Sequence, residues 1–308
     1  MTTVPAAAAA AAPSPAGTGA APAAKPAKAT PARRHSPLRR LLRDKAAVVA
    51  GVFLIAVILA AILAPWIAPS DPYSNNLRLR MKPPSAEFWL GTDAQGRDMI
   101  TRILFGMRTS FFIGFVAVAI GGLIGATLGI LAAYYSRLDN LIMRIVDVLL
   151  TFPAILLGLA IAAVLGPGVG SLIVALAASA VPTVARITRG AASVVMRSEY
   201  MEAGRAVGLG DGALIWRYLA PNCVSTILVY LTLQFGQTVL LGASLSFLGL
   251  GVQPPVAELG SMAAEGRNFL FFAPHVSTVP SVAIFLVVLA FNVLGDAMRD
   301  VLDPRLRQ

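Results

Sequence analysis

Residues 109–133 read TSFFIGFVAVAIGGLIGATLGILAA, a run without a single charged side chain. A helix needs about 20 apolar residues to cross the hydrocarbon core of a bilayer, so this run is long enough. Five further long apolar runs occur, at 46–67, 141–165, 168–185, 224–250 and 276–294. None of the six alternates polar and apolar residues with a period of two, which argues against a β-barrel. The sequence therefore predicts an all-α membrane protein with six transmembrane helices.

The overall composition agrees with this class. Hydrophobic residues make up 57% of the chain and charged residues only 13%, far from the composition of an ordinary soluble domain. The formal net charge of +10 does not indicate a nucleic-acid partner, because the basic residues flank hydrophobic runs and no zinc-finger or RNA-binding motif occurs. The bilayer is the expected partner, with no nucleic acid.

Basic side chains are distributed unequally between the two sides of the predicted helices. Many lie before the first run and in the loops after the second and fourth runs, among them Arg39, Arg40, Arg43, Arg137, Arg144, Arg186, Arg189, Arg197, Arg205 and Arg217. Fewer lie on the other side, namely Arg78, Arg80, Lys82, Arg97, Arg102 and Arg267. Cytoplasmic loops carry the excess of Lys and Arg, so both termini are expected in the cytoplasm, as in a multi-pass protein of a bacterial inner membrane.

Composition also divides the chain into regions. Residues 1–35 are rich in Ala, Pro and Lys, which predicts a disordered cytoplasmic tail; its positive charges follow the alanine run, unlike those of a secretory signal. Residues 36–68 then form an N-terminal transmembrane helix, 69–106 an external loop and 107–308 the main transmembrane domain. Cys223 is the only cysteine, so no intrachain disulfide can form.

The external loop contains a segment unusually dense in glycine and charge. Residues 91–98 read GTDAQGRD, and their candidate functional positions are Gly91, Thr92, Asp93, Gly96, Arg97 and Asp98. A plainer interpretation is an interfacial turn and helix in which Asp98 pairs with Arg102 at i,i+4. The two interpretations are equally compatible with the sequence.

Small residues and prolines mark the membrane interior. Gly114, Gly121, Gly125 and Gly129 have spacings that let helices approach closely. Pro153 and Pro182 are expected to interrupt the third and fourth runs. Non-helical backbone is tolerated at membrane depth only inside protein or along a cavity, so these breaks favour a transport pathway over a simple anchor.

Polar side chains within the runs are candidate pathway linings: Gln234, Gln237, Ser244 and Asn292. Gln234 and Gln237 lie on one helix face, although hydrogen bonding between helices explains them equally well. Asp147 lies near the internal edge, where an ordinary pair with Arg144 is the favoured interpretation. His35 and His275 have no metal-ligand partner nearby in sequence, so no metal site is expected.

The loop at 186–222 predicts a short helix and turn on the cytoplasmic side. Ser198 is a candidate N-cap, Glu202 and Arg205 are spaced for an i,i+3 pair, and Gly208 suits a left-handed C-cap. A small amphipathic helix of this kind fits a groove on a partner protein. The alternative is a helix that lies on the bilayer surface.

One motif in this loop is specific. Residues 202–208 read EAGRAVG, and Pro221 follows; the pattern resembles the EAA loop of ABC importer permeases, although Gly204 stands where the second alanine usually is. Tyr218 and Ala220 also replace the usual apolar pair. Further strings resemble the permeases of the dipeptide, oligopeptide and nickel importers: LGTD through GRD at 90–98, SLSFLGLGVQPP at 244–255, LAFNVLGD at 289–296 and LDPR at 302–305.

This resemblance implies one extra N-terminal helix followed by a five-helix type I ABC importer permease core. It also implies a homologous second permease, two cytoplasmic ABC ATPase subunits and an extracytoplasmic solute-binding protein. Within the coupling loop at 198–221, the positions implied to transmit the ATPase motion are Glu202, Ala203, Gly204, Gly208, Leu209 and Pro221. The implied substrates are di- and oligopeptides, with nickel chelate or glutathione as alternatives.

The chain has no GxxxxGKS or GxxxxGKT phosphate-binding loop. It is therefore expected to be a transport subunit without a cofactor, and ATP hydrolysis is assigned to separate subunits. A gradient-driven secondary transporter remains the alternative from another class. Such a carrier requires intramembrane carboxylates or broken inverted repeats, whereas charges are almost absent from the centres of these runs.

Overall fold

A computed structural model describes residues 41–302. Residues 1–40 and 303–308 lie outside the described part, and with them the tail predicted at 1–35. The described chain is almost entirely helical, and its helices are α1 Lys45–Ile67, α2 Met99–Tyr134, α3 Ser136–Thr151, α4 Ala154–Leu165, α5 Val169–Met196, α6 Glu199–Ala206, α7 Asp211–Phe247, α8 Leu259–Gly266 and α9 His275–Leu302.

Five of these helices are long and apolar enough to cross a membrane, namely α1, α2, α5, α7 and α9. Helices α3 and α4 meet at an angle of 92° and together supply a sixth candidate span. The break lies at Phe152 and Pro153, as the sequence predicted, because proline cannot continue the hydrogen bonding of a helix interior. The prediction was wrong for Pro182, which lies inside the continuous helix α5.

Several helices extend beyond the predicted runs. Helix α2 begins at Met99, inside the segment predicted as external loop, and α7 begins at Asp211 rather than near residue 224. Hydropathy detects only the part of a helix in hydrocarbon, whereas these ends carry polar and charged residues. The extra turns bring α2 and α7 out of the membrane on opposite sides.

Close packing between α2 and α5 forms the centre of the bundle. A β-carbon added at Gly121, Gly125 or Gly129 would lie 2.5–2.8 Å from a backbone carbonyl oxygen of α5, closer than real contacts allow. Glycine at these positions therefore lets the two backbones approach, as their spacing predicted.

The remaining elements surround this pair. Helix α1 packs against α9 through Ala50, Leu54 and Ala290. At the end of the bundle that carries the loop at 69–98, the short helix α8 inserts Leu259 and Met262 into a cluster with the N-terminal end of α2. This arrangement places the external loop against α8 and α9, and the loop containing α6 at the opposite end of the bundle.

Candidate functional site

The short helix α6 is held on the bundle by one narrow side. Met201 and Gly204 are buried, and Met201 packs in a cluster with Leu214, Leu219 and Cys223. Glu202 and Ala203, on the other side, are exposed. The rest of the α6 surface is therefore exposed in the described chain.

Contact with α7 gives a reason for the glycine at position 204. A β-carbon at Gly204 would stand 2.8 Å from Cδ2 of Leu214 and 3.4 Å from Cδ1 of Leu209. The usual alanine would therefore push against the Leu214 side chain. The EAA pattern usually has alanine at this position. Glycine lets α6 lie closer to the start of α7.

The end of α6 is a Schellman motif. The N–H of Leu209 donates to the carbonyl of Gly204 at 3.1 Å, and the N–H of Gly208 donates to that of Arg205 at 3.0 Å. Gly208 has φ +82°, the left-handed conformation that glycine adopts without strain. The predicted C-cap is confirmed, and it turns the chain sharply towards α7.

Two side-chain predictions for this loop were wrong. Ser198 occupies the N-cap position, but its hydroxyl donates to the carbonyl of Val195 instead of accepting from the helix. Glu202 and Arg205 form no ion pair; the Arg205 guanidinium approaches the sulfur of Met196 at 3.7 Å. Both charged side chains are exposed, where a pair contributes little, so helical spacing alone did not bring them together.

Helix α7 starts irregularly. Leu214–Leu219 form a π-helical turn just before Pro221. Proline lacks an N–H, and a wider turn here accommodates its missing donor. Pro221, the last residue of the predicted coupling loop, therefore marks the point where the α7 entrance becomes a regular transmembrane helix.

Two adjacent tyrosines at the end of α2 bind the first residue of α7. The Tyr134 hydroxyl donates to Asp211 Oδ1 at 2.7 Å, and the Tyr135 hydroxyl donates to Oδ2 at 3.2 Å. The two rings meet edge to face with centroids 4.9 Å apart. The sequence gives no local sign of this contact, because no helical spacing connects positions that are 76 and 77 residues apart.

At the opposite end of the bundle, the side chains of the 91–98 segment form hydrogen bonds and an ion pair within the loop. Asp93 Oδ1 accepts from the N–H groups of Gln95 and Arg97, and its Oδ2 accepts from Nε of Arg97 at 2.6 Å. The Thr92 hydroxyl donates to the carbonyl of Leu79 and accepts from the N–H of Lys82. Both side chains are almost fully buried, so they stabilise the conformation of the loop and do not face solvent.

The two glycines of the segment serve the same fold. Gly91 has φ +77° and Gly96 has φ +75°. A β-carbon at Gly91 would lie 2.7 Å from the ring of His275, and one at Gly96 would collide with the backbone of Asn76. His275 Nε2 lies 3.0 Å from the carbonyl of Thr92, which attaches the loop to the start of α9.

Arg102 is a fully buried cation whose partner differs from the one predicted. Its Nη1 donates to the carbonyl of Pro255 at 2.9 Å, and its Nε lies 3.6 Å from Asp93 Oδ2. Asp98 instead caps α2, accepting from the N–H of Thr101 at 2.8 Å. The predicted Asp98–Arg102 pair was wrong because the helix N-cap already engages the Asp98 carboxylate.

Two glutamates of the α8 segment complete this external cluster. Glu258 caps α8 through the N–H groups of Gly260 and Ser261 and accepts from the Ser110 hydroxyl of α2. Glu265 Oε2 lies 3.5 Å from Arg97. Burial raises the pKa of Glu265, an effect that Arg102 and Arg97 only partly offset. The buried charges thus connect the external loop, α2 and α8.

The pathway candidates separate into two groups. Gln234 is half-buried and accepts from the Tyr230 hydroxyl at 3.2 Å within α7. Asn292 is also half-buried and lies beside Gly236. Gln237 is exposed, and Ser244 lines a cavity of about 380 Å³ with Leu240 and Phe247. The spacing of Gln237, Leu240, Ser244 and Phe247 places these four residues on one stripe of α7.

Acidic residues of α3 pair across to α5. Asp147 pairs with Arg186 rather than with the predicted Arg144, and Asp139 pairs with Arg189 at 2.5 Å. Interhelical distance, and not separation along the chain, selected these partners. Within residues 41–302, no group of three His, Cys, Asp or Glu side chains could hold a metal ion.

The helical bundle, the bent α3–α4 span and the projecting helix α6 define the class of protein, the membrane-embedded permease subunit of an ABC importer. The model of the family "binding-protein-dependent transport system inner membrane component" matches residues 125–308, and "N-terminal TM domain of oligopeptide transport permease C" matches residues 35–84. The chain belongs to this family of binding-protein-dependent permeases. It is a transport subunit and not an enzyme.

Relatives with assigned names match over most of their length. A putative peptide transport system permease protein of Brucella abortus is 44% identical over 87% of this chain and 91% of that protein. The glutathione transport system permease protein GsiD of Pectobacterium atrosepticum is 46% identical over 87% and 90%. GsiD of Escherichia coli is 44% identical over 89% and 91%.

Solved structures support the fold alone. A structure of the MetNI methionine ABC transporter in an inward-facing conformation matches with a TM-score of 0.55 and 20% identity, covering 67% of this chain and 98% of that chain. A structure of an amino acid ABC transporter with histidines gives a TM-score of 0.52 and 19% identity, covering 66% and 95%. The predicted type I permease core is thereby confirmed.

Proposed function

We propose that this chain is one of two homologous permeases in an ATP-driven importer of di- and oligopeptides. Two cytoplasmic ABC ATPases and an extracytoplasmic solute-binding protein complete the complex, and both termini of the chain face the cytoplasm. The excess of basic residues on the side of α6 supports that orientation.

The observation that carries the proposal is the shape of α6. It stands at the end of the bundle, anchored by Met201 and Gly204, with Glu202 and Ala203 exposed. In the proposed mechanism, α6 sits in a groove of the ATPase, and closure of the nucleotide-binding domains pulls it. The chain itself contains no phosphate-binding loop, so this contact is its access to the energy of ATP.

Motion of α6 passes into the membrane through α7. The buried contacts of Met201 with Leu214 and Leu219 link α6 to the entrance of α7, and α7 continues to Ser244 and Phe247 at its outer end. We assign the stripe that contains Gln237 and Ser244 to the solute pathway, at the boundary with the second permease. Gln234 and Asn292, which are half-buried, have the weaker claim.

Affinity purification of the tagged protein from mild detergent tests this assignment. Mass spectrometry of the co-purifying proteins should identify a second permease and two ATPases. Glu202→Ala should reduce ATPase recovery, whereas Glu199→Ala, which removes another exposed carboxylate of the same helix, should retain more of it. Recovery of a homo-oligomer without any ATPase would overturn the proposal.

Glutathione is the alternative substrate within the same mechanism. It is favoured by the similarity to the two GsiD proteins, which is as high as that to the peptide permease. Competition decides between them: unlabelled glutathione or unlabelled dipeptides are added to an uptake assay with the cognate binding protein. If glutathione inhibits uptake and dipeptides do not, glutathione replaces peptides as the proposed substrate.

A further inference from the structure

We infer that Tyr134, Tyr135 and Asp211 form a clamp that positions α6 for coupling, an inference that rests on the proposed role of α6. The clamp joins the end of α2 to the turn that follows α6. Tyr134 and Tyr135 lie outside the coupling loop at 198–221, and Asp211 lies inside it but is not one of the positions that the EAA pattern specifies. They are positioning residues, because they act through α6 and do not touch solute or nucleotide.

The position of Asp211 in the chain lets the clamp hold the turn that ends α6. Asp211 follows the Schellman turn at Gly208 and Leu209 by two residues and is the first residue of α7. The turn itself is exposed, and nothing lies within 4 Å of a β-carbon added at Gly208. The bonds at Asp211 are therefore the polar attachment of this turn to the rest of the bundle.

The attachment leads to the central helix pair. Tyr134 is the last residue of α2 and Tyr135 its C-cap, and α2 is the helix whose glycines bring it against α5. A displacement of α6 therefore has two routes into the membrane. The apolar route passes through Leu214 into α7, and the clamp adds a polar route into α2.

The hydrogen bonds and the ring contact of the clamp fix the position of Asp211 relative to the end of α2. Each oxygen of one carboxylate accepts from one phenol, at 2.7 and 3.2 Å, and hydrogen bonds to an ionised acceptor are stronger than neutral ones. The edge-to-face rings fix both hydroxyls relative to each other. Asp211 also lies in the first turn of α7, where the helix dipole favours a negative charge.

The test removes the bonds and keeps the rings. Tyr134→Phe with Tyr135→Phe deletes both donors, and Asp211→Asn weakens the acceptor from the other side. Tyr218→Phe is the matched control, since the Tyr218 hydroxyl has no hydrogen-bond partner within residues 41–302. Two readouts are needed: hydrogen exchange of residues 199–211 in the purified chain, and solute imported per ATP hydrolysed by the reconstituted complex.

In the double phenylalanine variant, we expect faster exchange in the 207–211 turn and a fall of about threefold or more in solute moved per ATP. Asp211→Asn should reproduce the change and add little to the double variant. Unchanged exchange, an unchanged transport ratio, or an equal loss in Tyr218→Phe would each overturn the clamp. A wild-type complex without ATP-driven uptake would instead contradict the proposed function, and the exchange data would still decide whether the clamp exists.

Discussion

Gly204 lies against Leu214, so close that a β-carbon at position 204 would stand 2.8 Å from the Leu214 methyl Cδ2. The contact joins the short helix α6 to the entrance of the transmembrane helix α7. It lies next to the Schellman turn, whose Leu209 N–H donates to the Gly204 carbonyl. A single glycine thus belongs both to the seat of α6 and to its termination.

The effect of a substitution at Gly204 should increase with the size of the new side chain. Gly204→Ala meets only the far ends of two flexible side chains, Leu214 and Leu209, so it should cost about 1 kcal/mol, the low end for overpacking, and leave uptake near normal. Gly204→Leu must lift α6 from α7, and we expect uptake to collapse while the protein still inserts. Uptake and membrane abundance measured together check this. Equal behaviour of the two variants would contradict the contact.

Arg102 should be the most sensitive charged residue of the external cluster. Arg102→Met leaves the Pro255 carbonyl without its donor and Asp93 with Arg97 as its remaining cation, and we expect a loss of about 1–3 kcal/mol, the cost of an unsatisfied buried acceptor. Arg108→Met, on the same helix but exposed, is the control and should change little. Thermal unfolding in detergent measures both, and equal melting temperatures would argue against a buried cluster.

The sequence predicted some features of the fold and of these sites, and missed others. Hydropathy located the membrane spans, Pro153 marked the bend, and Gly208 indicated the left-handed cap, because each depends on local composition or backbone geometry. The side-chain pairs were predicted from spacing along one helix, and that reasoning failed at Asp98, Glu202 and Asp147.

The physical reason is separation along the chain. The Nη1 of Arg102 donates to a carbonyl 153 residues away, and Ser110 donates to Glu258 across 148 residues. No helical period links such positions, so tertiary structure alone reveals them. The π-helical turn before Pro221 was missed as well, because the proline predicted a disturbance without specifying its form.

The Glu265 carboxyl should make stability depend on pH. Burial raises its pKa, so the folded state holds the proton more firmly than the unfolded chain does. The resulting stabilisation is complete below the unfolded pKa of about 4.3 and is lost as pH rises through the folded pKa. Arg97 does not cancel this effect, because its Nε is already engaged by Asp93 at 2.6 Å.

Comparison with Glu265→Gln isolates this contribution. The amide keeps the shape of the side chain and cannot ionise. We therefore expect the melting temperature of the variant, relative to the wild type, to increase as pH rises from about 4 through the Glu265 transition. A difference that stays constant with pH would show that Glu265 does not titrate in this range.

Gln237 should matter for transport and Gln234 for structure. Gln237→Leu removes an exposed polar group from the proposed pathway stripe, and we expect lower uptake with normal assembly and ATPase activity. Gln234→Leu breaks a bond to Tyr230 within α7 and should cost about 0.5–1.5 kcal/mol, the usual net contribution of one hydrogen bond, with uptake preserved. Uptake assays on both variants compare them directly, and the reverse ranking would exclude the stripe.

The most direct test of the central claim is solute uptake by proteoliposomes that contain the purified complex and its binding protein. We expect accumulation of a labelled dipeptide or glutathione with ATP, none with a non-hydrolysable ATP analogue, and no dependence on an imposed ion gradient. Gly208→Val, which forces a β-branched residue into the left-handed turn, should abolish this uptake with the complex still inserted. Uptake driven by an ion gradient without ATP would contradict the proposed ATP-driven import.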